Sequence, residues 1–368
     1  MPARSDVVGS LLRPPELLAA RRTFEAGELD PAELARIEDR AVDQAIALQE
    51  ACRLEVVTDG ELRRRSFQDH LAQAVDGLGE VPLEAYLWGQ WHSAELGGWN
   101  VPRPARVAVL GKLRRRGYPV VEEFTYLRSR TSRVAKVAVS SPSLYANLWS
   151  PGGAYTTLEA FLDDVAELVA DEVQTLAGAG VQYIQLDAPH YALVVDPRTR
   201  GFYEAQGWSA ERWLDRGVEL DNDVMGAAPG VTFGLHLCRG NQRSRWLVSG
   251  GYEPLARVFE RSRTQRLLLE YDDARSGSFE PLRLVPDDKT VVLGLVSTKS
   301  GRLEDQAELE ARIQEAAGVV GSFERLAISP QCGFASSLLG NELTVEDQRR
   351  KLELVAQTAR AVWGEALT

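Results

Sequence analysis

The segment Val231-Thr232-Phe233-Gly234-Leu235-His236-Leu237-Cys238 is apolar almost without a break until it meets a histidine and a cysteine at its end. Continuous hydrophobicity without polar alternation marks a strand covered on both faces. Seven further runs share that character: Asp6 to Ser10, Leu54 to Glu61, Val134 to Pro142, Val181 to Pro189, Arg266 to Asp272, Val291 to Lys299 and Leu326 to Cys332. Between most of them lie stretches of helical periodicity, clearest at Asp30 to Cys52, Thr157 to Ala179, Glu304 to Ala317 and Thr344 to Trp363. Alternation of this kind implies parallel strands joined by right-handed crossovers. Eight such units predict an α/β protein, a single (β/α)8 TIM barrel over residues 1–368. Residues 78–130 break the alternation, with Trp88, Trp91, Trp99, several prolines and glycines and the basic run Arg114 to Arg116. They read as an insertion or lid between the second and third strands.

The chain has 368 residues, with 53 acids against 42 bases and a net charge of −11. That balance excludes a general polyanion binder, so no nucleic-acid partner is expected. Neither a signal peptide in Met1 to Leu12 nor a run near the roughly 20 apolar residues of a membrane helix is present in the sequence. A soluble, cytoplasmic protein without a membrane partner is the expectation, and a homo-oligomer is compatible with it. Cys52, Cys238 and Cys332 are too few and too dispersed for a disulfide scaffold.

Side chains alternate along a strand, so His236 and Cys238 point to one side. The sixth run places Glu270 where its hydrophobic strand stops, and the eighth ends Ser329-Pro330-Gln331-Cys332-Gly333. All four side chains then fall at the C-terminal mouth, where barrels of this kind keep their chemistry. Taken singly, each is also what a core residue looks like. Together, His236, Cys238, Glu270 and Cys332 make a tetrahedral zinc set. Its two thiolates and carboxylate outweigh the dication, which suits a metal holding a nucleophilic thiolate better than one acidifying water. Cys52, within a helical stretch, reads as core.

Three further segments matter: Val8-Gly9-Ser10, Asp59-Gly60-Glu61 and Gln185-Leu186-Asp187-Ala188-Pro189. With the His-x-Cys and Pro-x-Cys-Gly motifs, they resemble the cobalamin-independent methionine synthases, specifically their catalytic C-terminal barrel and its stand-alone relatives. The resemblance implies that His236, Cys238, Glu270 and Cys332 bind Zn2+, and that the metal activates the thiol of homocysteine toward a methyl donor, folate or another carrier. It implies that Ser10 holds the amino-acid carboxylate, that Glu61 and Asp187 meet the ammonium, and that Ser141-Pro142 and Trp149 lie near the folate.

The chain also departs from that pattern. Where the large synthases carry Asp-x-His at the seventh strand, it reads Gly294-Leu295-Val296-Ser297-Thr298-Lys299, and Ala188 replaces a second acid. The family's proton donor has no match, and no N-terminal barrel is present to position a polyglutamylated folate. Lys299 is a candidate partner for the leaving group, or the cation of a strand-end salt bridge. Glu270 is the ligand expected to step aside for the incoming sulfur. Arg63, Arg64 and Arg65 read as a solvated helix face from which one guanidinium can reach an anion. The expected activity is therefore a zinc-dependent S-methyltransferase giving methionine from homocysteine. The alternatives are a thiol alkyltransferase of the epoxyalkane:coenzyme M transferase type and a barrel whose zinc is only structural.

Overall fold

A computed structural model describes residues 3–103 and 109–364. Its strands are β1 (Val56–Val57), β2 (Val75–Leu78), β3 (Gly89–Trp91), β4 (Trp99–Val101), β5 (Val109–Arg115), β6 (Val134–Ser140), β7 (Tyr183–Asp187), β8 (Thr232–Leu237), β9 (Arg266–Glu270), β10 (Thr290–Val296) and β11 (Leu326–Pro330). Seven of them form one curled parallel sheet in the order β1-β6-β7-β8-β9-β10-β11. Helices pack outside it, so β7 and β9 are buried along their whole length, as their unbroken hydrophobicity requires.

The eighth expected strand, Asp6 to Ser10, does not form as a regular strand. It touches β11 through one parallel bridge between Ser5 and Ile328, in which the Asp6 N–H donates to Ile328 O at 2.9 Å. Its other edge is tied to the second run by side chain as well as backbone: Glu55 N–H donates to Ser5 Oγ at 3.0 Å, and Leu11 N–H to Gly60 O at 3.0 Å. The amino-terminal segment thus spans the gap between β1 and β11. It is irregular because Asp6 is drawn into the barrel interior. There its carboxylate accepts from Lys136 Nζ at 2.8 Å and Tyr183 OH at 2.9 Å, and pairs with Arg266 at 3.3 Å. Burial alone would raise the Asp6 pKa, but the Lys136 and Arg266 charges outweigh it and hold it below the ordinary value. β1 is shorter than the run Leu54 to Glu61, since Gly60 and Glu61 both turn into the left-handed region, with φ +73° and +54°.

The helices begin where capping chemistry directs them. Asp30 accepts from Ala32 N–H ahead of Pro31–Ala51, Thr157 caps Leu158–Gly178, and Thr344 with Asp347 forms a capping box on Val345–Trp363. The stretch expected from Glu304 starts instead at Gln306–Val320, capped by Asp305, because the Glu304 carboxylate is engaged by Ser297 N–H and Lys351.

The segment out of alternation is 75–115 rather than 78–130, of which residues 104–108 lie outside the described residues. β2 pairs antiparallel with β5, and β3 with β4. Pro119–Arg130 is a helix lying on β6 and so takes the place of the crossover helix. The β3–β4 hairpin reaches the far side of the mouth. His92 and Trp246 exchange backbone bonds of 2.7 and 3.0 Å, and Leu87, Trp91 and Val101 pack with Ala192, Leu247 and Val248 in a separate apolar cluster. Arg63 to Arg65 form a turn, not a helix face. Arg64 is buried in a bidentate pair with Glu123, while Arg63 and Arg65 pair with Asp39 and Asp69.

Removing one partner of a buried ion pair strands the other charge. Lys136→Met is expected to cost about 3–5 kcal/mol. In urea denaturation, the added Asp6→Asn substitution should recover part of that loss, giving a non-additive double-mutant cycle.

Candidate active site

β8 ends on Leu237 and β11 on Pro330, so His236, Cys238 and Cys332 come together at one rim from the ends of two strands that β9 and β10 separate in the sheet. One ligand atom from each lies within 4.8 Å of the others, and all three residues are buried. The Nε2 of His236 is buried without a hydrogen-bond partner, which for an imidazole nitrogen is the mark of a site awaiting a ligand. Without a metal the cluster shares its protons. Donation from Cys238 holds the Cys332 thiol well below its ordinary pKa, aided by His236, and the same bond raises Cys238 well above it. Burial would lower the His236 pKa, but the Asp187 hydrogen bond and the neighbouring Cys332 thiolate override it and raise it to about 10, so the metal-free ring holds a second proton that a metal would displace.

A chain of hydrogen bonds dictates which nitrogen of His236 faces the cluster. Lys136 Nζ can only donate, so the Gln185 oxygen turns to it at 2.8 Å and the Gln185 amide N–H turns to Asp187 Oδ1, also at 2.8 Å. The same Oδ1 receives His236 Nδ1–H at 3.0 Å. A proton is therefore held on Nδ1, and Nε2 is the nitrogen whose lone pair becomes available when a metal displaces the second proton. A carboxylate behind a histidine in this way is the usual outer support of a metal ligand.

Glu270 is fully buried but outside the three-residue group. Its Oε2 accepts from the Arg239 backbone N–H at 2.6 Å, and its Oε1 from Arg275 Nε at 3.0 Å and Lys299 Nζ at 3.3 Å. Burial opposes ionisation, yet Lys299 and Arg275 bring its pKa down to about 2. Lys299 also lies 3.8 Å from Asp272 and is not among the residues lining the cavity. Lys299 thus makes a strand-end salt bridge with Glu270 and Asp272.

Next to the cluster is a cavity lined by Ser10, Glu61, Asp187, His236, Cys238 and Cys332, among others. Glu61 is the most perturbed carboxyl in it. Burial pushes its pKa to about 8; Arg64 pulls it down, while Asp187 and Asp59 push it up. Its Oε2 is buried and unpartnered. Its left-handed backbone, uncommon in a residue with a side chain, is held by donation of its N–H to Asp59 Oδ1 at 2.9 Å. Two glycines permit the close packing here: a Cβ at Gly9 would strike the Glu61 carboxylate, and one at Gly333 would strike Ser10 Oγ. Arg13 clamps the rim by donating to carbonyls of Glu61, Arg64, Ala335 and Ser337, a role with no signal in the sequence. Trp149 packs against the core instead of the cavity, which Leu144 and Asn147 of the same loop do line.

The parallel barrel thus sets a buried His-Cys-Cys cluster that could hold a metal ion beside an acidic pocket at its C-terminal mouth. The model of the family described as cobalamin-independent synthase, catalytic domain, matches residues 4–360, and the chain belongs to that family, whose members are methyltransferases. It is 35% identical to the uncharacterized protein YxjH of Bacillus subtilis over 98% of this chain and 95% of that one. It is 25% identical to the methionine synthase of Pyrococcus abyssi over 89% of this chain and 85% of that one. A crystal structure of a putative vitamin-B12 independent methionine synthase from Listeria monocytogenes is similar over 99% of both chains, with 27% identity and a TM-score of 0.75. No helix among the described residues is long and apolar enough to cross a membrane.

Thiol alkylation follows thiolate content. In metal-free protein at neutral pH, iodoacetamide should modify Cys332 ahead of both Cys238, whose thiol the bond to Cys332 holds up, and Cys52, whose thiol burial pushes up to about 11. Peptide mapping over a time course checks the order.

Proposed function

We propose that this protein is a zinc-dependent S-methyltransferase that converts homocysteine to methionine. The observation that carries the proposal is the grouping of His236, Cys238 and Cys332 on the wall of the same cavity as Ser10, Glu61 and Asp187. The free Nε2 of His236 and two sulfurs are a soft donor set that fits zinc. Glu270 is the proposed fourth ligand. Arg275 and Lys299 already balance its charge, so it can yield its place to the substrate sulfur without being left as a bare anion. Zinc, when bound, makes the substrate thiol ionise near neutral pH while leaving it nucleophilic.

The chain's own groups then orient the amino acid. Asp187 adds to the cost of ionising the buried Glu61 until a cation joins the two, and an ammonium is such a cation. Ser10, held by its carbonyl to Phe334 N–H at 2.7 Å, offers its hydroxyl to the substrate carboxylate. A sulfonate thiol of the coenzyme M kind has no ammonium for this acidic pair, which favours homocysteine. A purely structural metal would leave the cavity and the unpartnered Glu61 oxygen unexplained.

Purified protein should hold about one zinc per chain. In competition with a chelator, Cys332→Ser should lose most of its affinity, and Gln185→Leu should weaken it by about 10–100-fold through the support of His236. Retention of zinc by Cys332→Ser at wild-type affinity would remove the ligand assignment.

Glu61 must lose its proton to hold an ammonium. The preference for homocysteine over 4-mercaptobutyrate, which lacks the amine, should therefore rise with pH and level off above about 8. Glu61→Gln should flatten that profile and weaken homocysteine binding by about ten- to a hundredfold, the worth of one charged hydrogen bond. Equal losses for both thiols would argue against an ammonium site.

A further inference from the structure

The outer wall of the cavity is aromatic and, among the described residues, poor in cations. Phe67 comes from the turn after β1, Tyr86, Trp88 and Trp91 from the inserted segment, and Tyr203 from beyond β7. Besides His236, the one basic residue on the wall among the described residues is Arg239, and it is engaged elsewhere. Its guanidinium donates to Gly250 O at 3.0 and 2.8 Å and lies over the Tyr252 ring at 4.0 Å. Two amide oxygens on the same wall, Gln68 Oε1 and Asn147 Oδ1, are buried without a donor. Together with Glu61 and Asp187 they outnumber the unpartnered cationic donor there, Arg239 Nη1. Aromatic faces and unpartnered oxygens receive a cation well and an anionic donor poorly.

Nor does the described wall offer a proton to a departing group once Glu61 has given up its own to hold the ammonium. His70 accepts from Ser140 N–H at 2.9 Å, His190 is bonded to Ser143 at 2.7 Å, and His92 is stacked on Trp246; none of them lines the cavity. Lys299 is held by Glu270. The Tyr86 hydroxyl does line it, but burial and Asp69 hold its pKa well above the phenol range, so it is a poor acid. A methyl group carried on a tertiary amine leaves with difficulty unless the nitrogen is protonated. A methyl group on a cationic centre needs no such help.

Resting on the reading of the site as a homocysteine methyltransferase, we propose that its methyl donor is a methylsulfonium compound, whose cation sits against the Tyr86, Trp88 and Tyr203 side of the cavity. The homocysteine sulfur, having lost its proton, gives an electron pair to the methyl carbon. The carbon–sulfonium bond breaks and its electron pair stays on the departing sulfur. A thiolate and a cation become two neutral thioethers, and the only proton released is the one the thiol lost on binding. Charge disappears along the reaction, so a wall poor in water favours it over bulk solvent.

Two measurements test this on the zinc-loaded protein. In the first, transfer of a labelled methyl group to homocysteine is compared for S-methyl-L-methionine, glycine betaine and methyltetrahydrofolate. The sulfonium should give a kcat/KM at least ten times that of either other donor. In the second, tryptophan fluorescence follows the binding of tetramethylammonium, an inert cation, against tert-butyl alcohol, its neutral counterpart in shape. The cation should bind about ten times more tightly, Trp88→Leu should remove that preference and Trp88→Phe should keep most of it, with homocysteine binding unchanged in both. Transfer that is slower from the sulfonium than from another donor, or absent, overturns the donor assignment, as does equal binding of the two probes. Failure of homocysteine itself to bind would instead remove the methyltransferase reading beneath it.

Discussion

A lysine ammonium can only donate hydrogen bonds, and that restriction at Lys136 propagates through the middle of the barrel. It turns the Gln185 amide, the amide fixes Asp187 as an acceptor, and Asp187 places the proton of His236 on Nδ1. The far end of the chain is anchored by Asp6, which Tyr183 and Arg266 also hold. An interior that most barrels fill with branched hydrophobics is here partly polar. Leu268, Val292 and Ala327 form a small apolar cluster apart from the main core. Buried ionic groups of this kind add little net stability, since desolvation offsets most of their attraction. Their contribution is orientation: one histidine in one tautomer, with its free nitrogen toward two sulfurs.

The same interior explains how the barrel closes. Asp6 must point inward to meet Lys136, and Gly9 and Ser10 must fold over Glu61 and Gly333, so the amino-terminal run cannot keep the geometry of a regular strand. Closure falls to scattered bonds with the second and eighth runs. The mouth therefore carries its most polar and strained segment beside the cluster, and the Arg13 clamp across four carbonyls offsets the loss of ladder bonds there.

The inserted hairpin adds what a bare barrel mouth lacks. By bonding to Trp246 and burying Leu87 and Trp91 against Leu247, it raises an aromatic wall above the acidic floor. A polar cluster below and an apolar, electronegative wall above divide the cavity into two halves of different chemistry. The lower half matches the amino acid of the proposed thiol, and the upper half the proposed donor.

Seven of the strands were legible because each is hydrophobic on both faces and ends at a polar residue, a pattern set by burial between helices and interior. The cap residues Asp30, Thr157 and Thr344 were legible because capping is local chemistry within three residues. The strand-end positions of His236, Cys238 and Cys332 follow from the same local pattern. What they meet does not. That Asp187 stands behind His236, that Glu270 is tied to Arg275 and Lys299, and that Arg64 is buried against Glu123 are pairings across 5 to 59 residues of chain. No periodicity encodes such pairings, because they depend on sheet register and on how tightly the sheet curls. The inserted segment shows the same limit: its tryptophans were visible, but only docking on Leu247 and Trp246 made them a wall. Local hydrophobicity and capping determined where strands and helices lie, and the curl of the sheet decided which charges must share the space inside it.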